Sequence, residues 1–276
     1  FADEHDPNTT VSGLGVGENI LTWSFDNGVC GFSQDNVSIF IYDADNPPAN
    51  AGPDQAYCTP QDSTFLQGNT PIFPASGTWS VVNGAGLFDN VHDPLSKVVG
   101  MAIGANTFVW TTSNGPCPNA ITSDTMTVTI YSDSTAAAFA GDDFELCLPM
   151  TSVQLQAATP QPPATGTWTI LSGPGTLVDP HDPHTMVNDL ALGITTFVWT
   201  LNNGPCPTSG IWSDTVSVSV FDPFGPVANA GPDIAQCTPE DSTGMAANVP
   251  LFPATGTWHL ISGTGAIADT TDHATA

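Results

Sequence analysis

Polar and apolar residues alternate along Val37-Ser38-Ile39-Phe40-Ile41-Tyr42, along Thr125 to Tyr131, and along Thr215 to Phe221. A period of two sends successive side chains to opposite faces, so each segment is predicted to be a half-buried strand. Thr107 to Thr111 and Thr196 to Thr200 are β-branched and aromatic, and run into Asn114-Gly115-Pro116 and Asn203-Gly204-Pro205. These read as strands closed by turns. Further strands are predicted around Trp79, Trp168 and Trp258, each leading into a Gly-rich bend such as Ser172-Gly173-Pro174-Gly175. No segment keeps a helical period over a capped stretch free of Gly and Pro. With 26 Gly and 25 Pro, turns recur about every ten residues, which is the rhythm of a β-sandwich.

The strands themselves recur. Gly77-Thr78-Trp79, Gly166-Thr167-Trp168 and Gly256-Thr257-Trp258 are spaced by 89 and 90 residues. Ala51-Gly52-Pro53-Asp54 returns at Ala140 and Ala230, and Asn106-Thr107-Phe108-Val109-Trp110 returns at Thr195 and, more loosely, at Asn19. Several landmarks holding one step make the chain a tandem array. The fold class expected is therefore all-β, with tandem immunoglobulin-like sandwich repeats of about 89 residues in a linear rod. Residues 45–134 and 135–223 are expected to be complete repeats. Residues 1–44 are the C-terminal part of another repeat, and 224–276 the N-terminal part of a fourth. Such cut ends are expected of a window on a longer chain. A subunit whose half-domains complete those of its neighbours would show them too. Joints fall at 43–50, 132–138 and 222–227, and linkers this short should hold neighbouring repeats in a semi-rigid line.

Charge narrows the functions. There are 27 acidic residues against one Lys and no Arg, for a net charge of −26. That balance excludes phosphate-backbone binding and disfavours anionic membrane surfaces. No apolar run approaches the roughly 20 residues needed to span a bilayer, so neither nucleic acid nor membrane insertion is expected. With Lys97 the one basic residue, trypsin-like proteases are also denied their cleavage sites almost entirely.

Six cysteines fall into two register classes. Cys58, Cys147 and Cys237 follow the Ala-Gly-x-Asp segment, whereas Cys30, Cys117 and Cys206 follow the Trp-containing strand. Each complete repeat holds one of each, 59 residues apart, so one disulfide per repeat is expected: Cys58 with Cys117, and Cys147 with Cys206. Closing such a loop would stabilise a repeat by roughly 4 kcal/mol in the chain-entropy model. Cys30 and Cys237 would then pair beyond the chain ends. Buried free thiols are the competing reading; zinc is disfavoured because no Cys-x-x-Cys pair is present. Disulfides imply an oxidising, extracellular setting.

The ordered series Ala-Asn-Ala-Gly-Pro-Asp, Cys, Gly-Thr-Trp, Ser-Gly-x-Gly, Asp-Pro, Gly-x-x-Thr-Phe-x-Trp-Thr, Asn-Gly-x-Cys and Asp-Thr-Val spans the whole chain. It resembles the PKD-like, immunoglobulin-like repeats of giant Bacteroidota cell-surface proteins, which include adhesins associated with gliding motility. The resemblance implies a sandwich repeat, export through the type IX secretion route, and a place in a long surface fibre. It implies no catalytic residue.

Individual residues add candidates. The His-Asp-Pro triplets at His5, His92 and His181 are expected to be turns in which Asp accepts backbone hydrogen bonds. Trp79, Trp110, Trp168, Trp199 and Trp258 are expected in cores, and Trp212, which has no counterpart in the other repeats, is expected to be exposed as a private contact. Asp43, Asp45 and Asp54 at one joint, and Asp142, Asp143 and Glu145 at the next, are candidate calcium ligands, since hard oxygen donors at a boundary could stiffen it. No other cofactor is expected. Ser63, Thr125, Ser134, Thr215, Ser242 and Thr270 follow Asp in the Asp-Ser/Thr pattern similar to Bacteroidota O-glycosylation acceptors, so a glycoprotein is one expectation.

Three functions follow from different classes. The leading expectation is the structural repeat region of an extracellular surface fibre or adhesin: a disulfide-stapled spacer on the cell surface. Its partners would be neighbouring repeats or identical subunits, and beyond them surface polysaccharide or other cells. A carbohydrate-binding module array would need exposed aromatics repeated in each unit; a self-assembling filament would use complemented half-domains. No Ser-His-Asp set, paired-carboxylate motif or phosphate loop stands out, so an enzyme is not expected.

Overall fold

The computed structural model describes residues 1–118, 120–134, 136–206 and 212–274. It divides into two compact units, Phe1–Ser134 with Asn203–Pro207, and Thr135–Asn202 with Thr208–Ala276.

In the first unit, β1 (Gly17–Asp26) and β2 (Phe32–Ile41) form an antiparallel hairpin. Seven more strands then build a two-sheet sandwich: β3 (Gln55–Cys58), β4 (Thr64–Phe65), β5 (Ser76–Asn83), β6 (Leu87–Phe88), β7 (Lys97–Val99), β8 (Gly104–Ser113) and β9 (Ile121–Tyr131). One sheet has the order β3-β9-β8-β5 and the other β4-β7-β6. Only β3 runs parallel to its neighbour, with Cys58 opposite Tyr131 at the C-terminal end of β9. Alternation does what it predicts: Met126, Val128 and Ile130 are buried, while Thr125, Thr127 and Thr129 face outward. Phe108 and Trp110 from β8 and Trp79 from β5 meet them in the core. The two indoles lie 5.0 Å apart at 40°.

The second unit repeats the design with β10 (Phe144–Cys147), β11 (Val153–Gln154), β12 (Thr165–Ser172), β13 (Thr176–Leu177), β14 (Met186–Asn188), β15 (Gly193–Asn202) and β16 (Ser213–Phe221). Its sheets are β10-β16-β15-β12 and β11-β14-β13, strand for strand the same order. Even the register slip recurs, between Val81 and Asn83 on β5 and between Ile170 and Ser172 on β12. Trp168 and Trp199 repeat the tilted pair at 5.0 Å. The chain is thus built of tandem immunoglobulin-like β-sandwich repeats.

Two expectations need correcting. Among the described residues the segment around Trp258 forms no ladder; Trp258 still donates its backbone N–H to Thr270 O at 2.8 Å, as Trp79 does to Val91 O. Trp212 is not an exposed contact. It is half-buried against the second core, in the register position that Thr122 takes in the first repeat, and its Nε1 is buried without a hydrogen-bond partner.

One buried polar side chain organises the first sandwich. Asn106 is fully buried; its Oδ1 accepts from Ala85 N and Ala102 N, and its Nδ2 donates to Ala102 O at 2.8 Å, to Gly104 O at 3.2 Å and to Val128 O at 3.3 Å. At the same position Thr195 makes a single bond, from Oγ1 to Pro174 O at 2.8 Å. Asn106→Leu removes the partner of two backbone N–H groups and a donor to three carbonyls, each worth about 1–3 kcal/mol when left unmet in a core. It is expected to lower the first repeat's stability by roughly 3 kcal/mol or more. Asn106→Thr, which keeps one donor, should cost distinctly less; denaturant titration of the two variants compares them.

Candidate functional site

The feature with the clearest design is the joint at which one repeat meets the next, and it occurs twice within the first unit. Tyr42 directly follows β2, and its ring covers Gly115; an added Cβ there would lie 2.5 Å from the ring. Gly115 holds φ +56, a left-handed conformation that Gly adopts without strain. The preceding Asn114 donates from Nδ2 to Asp43 O at 2.8 Å. One repeat later the same three parts return: Tyr131 covers Gly204, which has φ +56, and Asn203 donates to Ser132 O at 2.7 Å. Asn114 and Asn203 are both buried, and among the described residues the Oδ1 of each has no hydrogen-bond partner.

At the second joint a covalent bond is added. Cys58 is bonded to Cys206, across 148 residues, with the Cα atoms 5.1 Å apart. This overturns the within-repeat pairing of Cys58 with Cys117 and of Cys147 with Cys206. Cys117 and Cys147 carry free thiols, as do Cys30 and Cys237. The reason lies in the sandwich. Cys58 sits beside Tyr131 at the C-terminal end of β9, whereas Cys117 precedes its N-terminal end at Ile121. Eleven strand residues at about 3.3 Å each place the two cysteines at opposite poles, roughly 30 Å apart. A disulfide tolerates a Cα separation of no more than about 7 Å. Cys206, carried on the turn after β15, reaches the pole where Cys58 lies because that turn packs with the first unit.

Several of the candidate acidic residues serve the backbone. Asp54 Oδ1 accepts from Thr127 N at 2.7 Å, and Asp143 Oδ1 from Ser217 N at 2.8 Å, so each ties an edge segment to its sheet. Asp43 Oδ1 caps its own turn at Asp45 N. Among the described residues no three His, Cys, Asp or Glu side chains converge, and this includes Asp142 and Glu145. The melting midpoint is accordingly expected to be the same in calcium and in chelator; a midpoint raised by calcium would restore a metal role for these carboxylates.

The Asp-Thr pairs are explained in part by backbone chemistry. Asp124 Oδ2 accepts from Ala51 N at 2.8 Å, and Asp214 Oδ2 from Ala140 N at 2.9 Å, fastening the strand that enters each sandwich. The adjoining Thr125 and Thr215 are exposed, as are Ser134, Ser242 and Thr270, while Ser63 is half-buried. Thr135, beside Ser134, lies outside the described residues. Asp269 accepts from the backbone N–H of Thr271 and then from its hydroxyl, and these bonds hold its carboxyl below the ordinary value. The His-Asp-Pro segments are turns: Asp93 Oδ1 accepts from Leu95 N at 2.9 Å and Asp182 Oδ1 from His184 N at 2.8 Å.

Trp79, Trp110, Trp168 and Trp199 are all at most 2% exposed, so they offer no ring to a sugar. Trp258 lines an open hollow of about 450 Å³ with Ala230, Ala247 and Thr271. In the complete sandwiches the corresponding indoles, Trp79 and Trp168, are covered by Trp110 and Trp199. The hollow therefore lies on the side of Trp258 that is covered by a second indole in the complete sandwiches.

No protein-family model and no curated protein matches the chain. Solved structures do. The PKD domain of KIAA 1837 protein is 25% identical, covers 31% of this chain and 87% of its own, with a TM-score of 0.27. The PKD domain of human KIAA0319 is 23% identical over 36% of this chain and 88% of its own, with a TM-score of 0.27. An I-band fragment of titin is 10% identical over 74% of each chain, with a TM-score of 0.36. No helix is long and apolar enough to cross a membrane among the described residues.

Proposed function

We propose that this chain is a repeat region of an extracellular surface fibre or adhesin, of the kind its residues resemble in Bacteroidota, and that it serves as a disulfide-stapled spacer. The observation that carries the reading is the bond between Cys58 and Cys206, which joins one repeat to its successor. A staple within a repeat would stabilise that repeat alone. A staple between repeats makes the joint itself permanent, which is a requirement of a spacer and not of a catalyst. The buried joint residues Asn114 and Asn203 and the capping rings of Tyr42 and Tyr131 support it, since the same parts recur at both joints. A charge of −26 keeps such arrays soluble and apart from one another.

The bond also bears on location, because structural disulfides persist outside the reducing cytosol. Cells that make the protein should be labelled intact, with an antibody to the chain and with a membrane-impermeant maleimide. Surface staining is expected, with Cys58 and Cys206 unreactive until a reductant is added. Staining only after lysis, with both thiols reactive, would refute the surface reading.

A further inference from the structure

Cys117 and Cys147 are neither spare nor alike. Cys117 occupies in the first repeat the place of Cys206 in the second: each donates its N–H to the carbonyl of the turn asparagine, Asn114 or Asn203, at 3.3 Å. Each of those turns lies under a tyrosine and ties back to the preceding repeat, through Asp43 O or Ser132 O. The first joint therefore has every part of the second except a cysteine to meet Cys117. Cys147 is the counterpart of Cys58. It stands opposite Phe221 at the end of β16, as Cys58 stands opposite Tyr131, and the next residue donates to the same strand end in both cases, at 2.9 Å. Cys147 is exposed there, and Cys117 half-buried.

We propose that Cys117 and Cys147 are half-staples. Cys117 receives the cysteine of a preceding sandwich repeat that ends a strand as Cys58 does. Cys147 receives the turn cysteine of a following repeat, placed as Cys206 is. Every repeat is then bonded to both neighbours and none to itself. Cys30 follows Asn27-Gly28 and so belongs to the turn class, whereas Cys237 belongs to the strand class. The partner of each half-staple is thus a thiol on another repeat, supplied by the same polypeptide or by a second copy of it. Forming each bond removes two electrons and two protons from the thiol pair. Thiol-disulfide exchange with a small disulfide such as oxidised glutathione balances this, releasing two reduced thiols. The inference rests on the spacer reading only for its oxidising surroundings.

The test is a disulfide map of native material, alkylated with N-ethylmaleimide before denaturation and cleaved at acidic residues without reduction. Mass spectrometry is expected to find Cys58 linked to Cys206, Cys117 linked to a strand-class cysteine, and Cys147 linked to a turn-class cysteine. Denaturing gels with and without reductant then identify the source. A fall in apparent mass on reduction assigns the partner to a second copy, and an unchanged mass assigns it to the same chain; both satisfy the proposal. Alkylated Cys117 or Cys147 in surface-exposed native protein overturns it while leaving the spacer reading intact. A Cys58–Cys117 or Cys147–Cys206 peptide overturns it together with the observed staple.

Discussion

Pulled by its two ends, the oxidised chain is expected to extend about 500 Å less than the reduced chain when all of its strands have come apart. Tension entering at residue 1 reaches Cys58, crosses to Cys206 and leaves through residue 276, so the 148-residue loop bears no load. At about 3.6 Å per extended residue, that loop is the missing length. Optical-tweezers traces before and after reductant measure the difference directly. Cys206→Ser alone should restore the whole of it. Two separate within-repeat bonds would instead return only part of the length with that single substitution, an outcome that would exclude the cross-repeat staple. The same closure narrows the unfolded ensemble by roughly 5 kcal/mol in the chain-entropy model. Cys117→Ser should leave extension and stability of the isolated chain unchanged.

Gly166→Ala is expected to unfold the second repeat's core although it adds a single methyl group. A Cβ at Gly166 would overlap Cζ2 of the Trp199 indole, and one at Gly77 would overlap Cζ2 of Trp110. The strands β12 and β15 face each other there, with Gly166 opposite Leu201 and Trp168 opposite Trp199. Neither backbone can withdraw without breaking the ladder. Overpacking of this kind costs about 3 kcal/mol or more, which corresponds to a melting-point fall of roughly 15 °C for a domain of this size. Pairing Gly166→Ala with Trp199→Phe removes the ring atoms that clash. The double variant should therefore be more stable than Gly166→Ala alone, even though Trp199→Phe by itself destabilises. Calorimetry of the four proteins gives the coupling, and additive losses would mean that the glycine is held for some other reason.

Much of the sandwich was legible because its signals are local. The two-residue period of Thr125 to Tyr131 and Thr215 to Phe221 matches β9 and β16, and the recurring tryptophans are the core that repetition implied. Gly-Thr-Trp could be read as a strand, but the reason for its glycine lies across the sheet in Trp110 and Trp199. The 59-residue spacing misleads about the disulfide because it says nothing about which pole of a sandwich each cysteine occupies. The strand order β3-β9-β8-β5 decides that, through a parallel pairing that leaves no mark in composition. Asp54, Asp124, Asp143 and Asp214 looked like ligands or modification signals since a carboxylate facing a backbone N–H and one facing a cation have the same letter. The singularity of Trp212 suggests a surface residue, yet a private residue can equally fill a private gap in a core.

The covered turns at the joints bear on how long the molecule lasts. An Asn-Gly pair in a mobile chain is among the least durable peptide sequences, because the glycine nitrogen attacks the asparagine amide and turns it into a succinimide, losing ammonia. Asn114-Gly115 and Asn203-Gly204 carry that pair, but their amide nitrogens are anchored to Asp43 O and Ser132 O and an aromatic ring roofs each glycine. Asn27-Gly28, the same turn without such a roof, stands open to water. The tyrosine roof and the anchored amide therefore guard the weakest covalent link of each of these turns against chemical ageing.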